Sequence, residues 1–222
     1  MDQDELRAEI CRVGRSLFER GYVHATAGNI SVRLDGAQGG GVLITPTDAC
    51  LGAMRPDSLA WVDAEGVQRS GARASKTLVL HRQIYDAAPA ARCVIHTHST
   101  HLVALTLAGV WQAQCVLPPI TPYFVMKVGQ VPLIPYRRPG DPLAAQAVAT
   151  AIRDAAARGT PIQAVLMERL GPNVWHDTVA GAMALLEELE ETARLWLMAQ
   201  PRPAPLAEEQ IEELRRHFAA RW

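Results

Sequence analysis

Arg92-Cys-Val-Ile-His96-Thr-His98-Ser-Thr-His101 is the stretch on which the reading of the fold turns. Cys93, Val94 and Ile95 make a short apolar run of the kind that a sheet buries, and Cys93 is read as a core thiol. The period then changes, because Leu102 and Leu105 recur at helical spacing between His98 and Ala108. A strand therefore runs straight into a helix. His96 and His98 stand at that junction. Side chains two apart on a strand face the same way, so both imidazoles can meet one metal ion. The residue types alone leave two readings open: metal ligands, or polar and buried histidines of the framework. A metal ion held there would polarise a substrate carbonyl or an ene-diolate oxygen. His101 lies where strand becomes helix and reads as a supporting residue rather than a ligand.

Upstream, Leu6, Ile10, Val13 and Leu17 predict an amphipathic helix that stops at Gly21. Ile30-Ser-Val-Arg-Leu34 and Val42-Leu-Ile-Thr45 predict a hairpin across the glycine-rich turn 35–41. Leu59-Ala-Trp-Val62 and Val67-Gln-Arg predict a second hairpin around Ala64-Glu-Gly66. Leu78, His81, Ile84 and Tyr85 mark a helix between Ser75 and Ala88, ended by Pro89.

Downstream of the histidines, the loop Leu117-Pro-Pro-Ile-Thr-Pro122 leads to Tyr123, and Val131-Pro-Leu-Ile134 can be only an edge or irregular strand. Asp141 caps a helix that begins at Pro142 and ends near Gly159. Ala164-Val-Leu-Met167 and Asn173-Val-Trp175 read as strands, followed by a long helix from Val179 to Ala199. Its Glu187, Glu188, Glu190 and Glu191 are expected in solvent, with Arg194 pairing Glu190 or Glu191. Pro201, Pro203 and Pro205 precede a last helix near Trp222. The pattern gives an α/β domain with helices around a mixed or mainly antiparallel sheet, residues 1–200, and a helical extension, 201–222, belonging to the same unit.

The 222-residue length suits one domain with a substantial core. With 22 basic against 23 acidic residues there is no broad field for a nucleic-acid backbone, and a small ligand fits better. Cys11, Cys50, Cys93 and Cys115 form no CxxC pair, so reduced thiols are expected. The opening Met1-Asp-Gln-Asp-Glu5 has neither a basic leader nor an apolar segment, and no run approaches about 18 apolar residues. A soluble, cytoplasmic protein without membrane contact is expected. A GxSxG elbow and a phosphate-loop Gly-Lys-Ser/Thr are both missing, which lowers serine hydrolase and P-loop chemistry.

Several polar groups could serve a ligand. Thr26-Ala-Gly-Asn29 is an anion-accepting turn or a plain one. Thr45-Pro-Thr-Asp48 offers hydroxyls or an ordinary cap. Ser75 and Lys76 combine a hydroxyl, a cation and a helix N-terminus, which suits phosphate or carboxylate. Lys127, Arg137 and Arg138 could extend that recognition, and Tyr123 and Tyr136 carry transferable protons or simply pack.

The ordered set Ala27-Gly-Asn29-Ile-Ser31, Ile44-Thr-Pro-Thr47, Ser75-Lys76, His96-Thr-His98 and Glu187-Glu-Leu-Glu-Glu-Thr-Ala-Arg194 resembles the class II aldolase/adducin family over nearly the whole chain. The stretches 96–101, 117–126 and 135–141 look most like its branch of 3-oxo-tetronate 4-phosphate decarboxylases. The resemblance implies a three-layer α/β/α domain with a central, mainly antiparallel sheet, assembled as a homotetramer with active sites between neighbours. It implies zinc or another divalent ion, a phosphorylated sugar acid or sugar phosphate, and carbon-carbon cleavage through an enediolate. Carried onto this chain, Asn29, Thr45, Ser75 and Lys76 would surround the phosphate, His96 and His98 would hold the metal, and Tyr123 would donate a proton or position ligand near a subunit boundary.

Two positions depart from the family pattern. Its acidic residue is expected where Thr77 stands, and its third metal histidine where Leu170 stands. Threonine is a poor general base and leucine cannot bind metal. Thr77 is left to orient water or substrate. Glu168, His176, His24 or a neighbouring chain are the candidates for a replacement ligand. Decarboxylation tolerates the missing acid better than aldol chemistry, because it expels carbon dioxide instead of requiring proton abstraction from carbon. A class II sugar-phosphate aldolase and an inactive ligand-binding or scaffold homologue are the alternatives.

Overall fold

The computed structural model describes residues 1–222. Helix α1, Gln3–Glu19, opens with a capping box in which the Asp2 carboxylate accepts the Glu5 N–H and the Glu5 side chain accepts the Asp2 N–H. Its Leu6, Ile10, Val13 and Leu17 are buried as their spacing requires. The strands follow as β1 (Asn29–Arg33), β2 (Val42–Ile44), β3 (Ala60–Val62) and β4 (Gln68–Ser70). Next come α2 (Leu78–Ala87), β5 (Cys93–His96), α3 (Thr100–Ala108), β6 (Leu133–Ile134) and α4 (Pro142–Ala157). The chain closes with β7 (Ala164–Met167), β8 (Gly171–His176), α5 (Val179–Met198) and α6 (Glu208–Phe218).

All eight strands form one sheet in the order β4-β3-β2-β1-β5-β8-β7-β6. Every pairing is antiparallel except β6 with β7. The sheet is the middle of three layers. One face carries α1, α3 and α5 on a core that includes Ile30, Ile95, Leu102 and Leu186. The other carries α2 and α4 over Ile44, Val94, Val148 and Trp175. Period-2 alternation assigns the faces: Ile95 enters the first core, while Val94 and His96 face the second. The three-layer α/β/α architecture expected from the sequence is thus present. Pro132 keeps β6 short and at the sheet edge, as its missing N–H demands.

The segment after α5 returns to the body of the fold. Ile211 is buried, and the Trp222 ring meets Phe124 edge to face with centroids 5.4 Å apart. No helix is long and apolar enough to cross a membrane.

One expectation is corrected here. Glu190 is not in solvent but 4% exposed, because it reaches the start of α3. Its Oε1 accepts the N–H of His101 at 2.9 Å, and its Oε2 accepts that of Leu102 at 3.1 Å. A buried carboxylate at a helix N-terminus satisfies donors that have no partner within the helix. Arg194 accordingly pairs with Glu191, at 3.4 Å.

Candidate active site

The ends of β1, β5 and β8 meet at one rung, where Asn29 pairs across to His96 and His96 to Asn173. Two glycines make this junction possible. Gly171 has φ +120°, and a Cβ there would fall 2.2 Å from the Thr97 carbonyl oxygen. Gly28 has φ +84°, and a Cβ there would lie 2.9 Å from the His96 carbonyl oxygen. Both side chains are excluded by the close approach of the backbone that carries the histidines.

Over this junction opens a cavity of about 470 Å³, a size suited to a small ligand. Its walls come from the β1 turn and the segment after β2 (Thr26 to Asn29, Pro46 to Asp48), the start of α2 (Ser75 to Thr77, Val79, Leu80) and the approach to α4 (Arg138 to Pro142). His96, His98, Met167 and Leu170 also line it.

His96 and His98 come together with ring centroids 5.0 Å apart. The buried His96 donates Nδ1–H to the Pro172 carbonyl oxygen at 2.8 Å, which leaves Nε2 with a free lone pair. Burial first, and then the neighbouring His98, lower its pKa to about 4, against the weaker opposing pull of the Pro172 carbonyl. The half-buried His98 is lowered by burial and by His24, whose ring lies 6.4 Å away. Both rings are therefore neutral near pH 7, as metal ligation requires. The two imidazoles fit a divalent ion as a pair, but no group of three His, Cys, Asp or Glu side chains converges on one point.

Glu168 and His176 do not join them, and His24, with its ring 6.4 Å from that of His98, completes no group of three. Glu168 lies in the β7–β8 turn, where its Oε2 accepts the Tyr136 N–H at 2.9 Å. His176 pairs with Cys93, three rungs from His96 along the β5–β8 ladder. Leu170 presents its apolar side chain to the cavity.

Of the substrate-binding candidates, Asn29, Ser75 and Lys76 reach the wall, and Thr77 stands among them. Asn29 is buried with no partner for its Oδ1, so a polar acceptor waits at the cavity edge. Ser75 and Thr77 hydroxyl oxygens are 2.9 Å apart, and no side chain caps the first turn of α2. Thr45 is corrected: it is fully buried, and its Oγ1 accepts the Ile30 N–H at 3.2 Å. Thr47, one pleat further, takes its place on the wall. Tyr123 is 62% exposed and lies off the wall of its own chain's cavity. The acids on the wall are Asp48, exposed at the rim, and Asp141, whose carboxylate accepts the Leu143 N–H as the α4 cap.

Sequence reasoning passed over a buried polar row beside the site. The Ser31 hydroxyl bridges His81 Nδ1 and the Tyr85 hydroxyl, each at 2.7 Å, while His81 Nε2 has no partner. Alternation of Asn29, Ser31 and Arg33 on one face of β1 was the available signal.

A three-layer fold with a histidine pair at a strand end and a polar turn beside it has the form of a lyase of the class II aldolase kind. The comparisons agree: the model of the class II aldolase and adducin N-terminal domain matches residues 8–197. The 3-oxo-tetronate 4-phosphate decarboxylase of Cupriavidus necator is 55% identical over 99% of each chain. The enzyme so named in Escherichia coli K12 is 39% identical over 96% of each chain. The crystal structure of YgbL from Escherichia coli superposes with TM-score 0.84 at 39% identity, covering 96% of this chain and 99% of that one. This chain belongs to the class II aldolase/adducin family and is an enzyme of that family, closely related to its 3-oxo-tetronate 4-phosphate decarboxylase branch. That membership supports metal dependence in general.

Proposed function

We propose that this enzyme decarboxylates a 3-oxo-tetronate 4-phosphate or a closely related phosphorylated sugar acid. The C1–C2 bond breaks, carbon dioxide leaves, and the electron pair passes from C2 to the C3 oxygen as an enediolate. A proton added at C2 then gives dihydroxyacetone phosphate. A divalent ion, zinc before others, supplies positive charge for the developing oxyanion when held by His96 and His98. Asn29, Ser75, Lys76 and the uncapped start of α2 take the phosphate, with Thr47 in the role first assigned to Thr45.

The observation that carries the reading against an aldolase, which in the addition direction must abstract a proton from carbon, is Thr77. It stands on the cavity wall with a hydroxyl partner, Ser75, and without the carboxylate that proton abstraction from carbon needs. Loss of carbon dioxide does not need one. Thr77 orients substrate or water instead. Tyr123, exposed on its own subunit, reaches the site of a neighbour in a homotetramer and returns the proton there. The active enzyme is cytoplasmic, and residues 201–222 belong to its single domain.

Metal analysis of the purified protein, together with carbon dioxide release from 3-oxo-tetronate 4-phosphate, tests this. Stoichiometric divalent metal and chelator-sensitive release are expected. Absence of both metal and turnover would overturn the reading and leave the scaffold alternative standing.

A further inference from the structure

The cavity holds two cations, Lys76 and Arg138. Neither pairs with an acidic side chain of the chain. They enter from opposite flanks. The segment carrying Lys76 is tied to the end of β2, where the Ser75 N–H donates to the Thr45 carbonyl at 3.2 Å. Arg138 follows β6, whose Ile134 pairs with Met167. Across the sheet the order is β2-β1-β5-β8-β7-β6, so the strand bearing His96 lies between the two.

Two unpaired cations on opposite flanks of one cavity suit a substrate with an anion at each end. Asp141 does not compete for Arg138, because it caps α4, and Asp48 lies on the β2 flank.

We infer that Arg138 is the specificity residue that reads the substrate carboxylate, at the end of the cavity opposite the phosphate. The inference rests on the phosphate assignment above. A planar guanidinium takes a carboxylate through two parallel hydrogen bonds, and a sugar phosphate lacking the carboxylate gains nothing from it. Arg138 acts on binding. The carboxylate it holds is the group expelled, so its contact is lost as the C1–C2 bond breaks and lowers KM more than it raises kcat.

Calorimetric titration of wild type and Arg138→Met with two ligands tests this without turnover. One ligand is 4-phospho-erythronate, which carries both anions but lacks the 3-oxo group. The other is dihydroxyacetone phosphate, which has only the phosphate. Arg138→Met is expected to bind 4-phospho-erythronate at least 10-fold more weakly and dihydroxyacetone phosphate within 2-fold of wild type, with Arg138→Lys between. Equal losses for both ligands would assign Arg138 to the phosphate and overturn the inference, as would no loss for either or a wild type that binds neither. Steady-state turnover of the 3-oxo acid is read separately. If wild type shows the binding pattern without turnover, the proposed reaction fails while the role of Arg138 stands.

Discussion

His96 donates its Nδ1–H to the backbone carbonyl of Pro172 at 2.8 Å, so the tautomer of a metal-ligand candidate is fixed by the neighbouring strand. Because β8 pairs with β5 at this rung, the sheet itself orients the ring. Loss of a supporting contact to a ligand costs roughly 10- to 100-fold in metal affinity, and loss of the ligand costs more. His96→Ala is therefore expected to lower metal affinity and turnover by at least about 100-fold. Elemental analysis and circular dichroism check this: metal should fall while the far-ultraviolet spectrum is kept. Unchanged metal content would remove His96 from its assigned role.

The parts of this site that were legible in the sequence are those written in local periods. Cys93 to His96 announced a strand by composition, and the two-residue spacing put His96 and His98 on one wall. Ser75 and Lys76 were readable because they precede a helix. Thr45 was misread because Thr45 and Thr47 share one motif, and only cross-strand packing decides that Thr45 turns to Ile30 while Thr47 faces the cavity. Glu190 was misread for a related reason. Its run of four glutamates signals a solvated face, and nothing local to α5 reveals that the start of α3 lies against it. Fold and the polar residues of the cavity wall follow from local pattern; contacts between distant elements do not.

Glu190 offers a direct test of that buried contact. Replacing it by alanine leaves the N–H groups of His101 and Leu102 without their acceptor inside the protein. Glu190→Ala is expected to cost about 3 kcal/mol of stability, and Glu190→Gln less, since the amide oxygen still accepts one N–H. Urea denaturation measures both. A change within about 0.5 kcal/mol for alanine would show that the contact is not stabilising.

Gly171 and Gly140 make a matched pair for backbone strain. Both have positive φ, at +120° and +79°, but a Cβ at Gly140 meets nothing within 4 Å while one at Gly171 strikes the Thr97 carbonyl. Gly140→Ala is expected to cost about 1 kcal/mol. Gly171→Ala should cost more than about 3 kcal/mol and, by displacing Thr97 and His98, weaken metal binding as well. Thermal unfolding with metal titration separates the two, and equal costs would remove the steric argument.

His81 links the buried row to acid stability. It is fully buried, and that burial, with a smaller contribution from His96, lowers its pKa from 6.5 to about 3. The unfolded chain therefore binds a proton that the folded chain refuses between those values, so stability is full above about pH 6.5 and falls as the pH drops towards 3. Each such histidine contributes about 1.4 kcal/mol per pH unit within its window. His96, held at about 4 in the same direction, adds a second slope in metal-free protein. Near pH 5.5 the two together make unfolding free energy fall by up to about 2.7 kcal/mol per pH unit. His81→Asn keeps a polar group facing Ser31 and removes one titration, so it should roughly halve that slope while costing stability at pH 7. Urea denaturation of metal-free wild type and variant at pH 5, 6 and 7 measures the slopes. Parallel slopes would show that His81 does not stay neutral inside the fold.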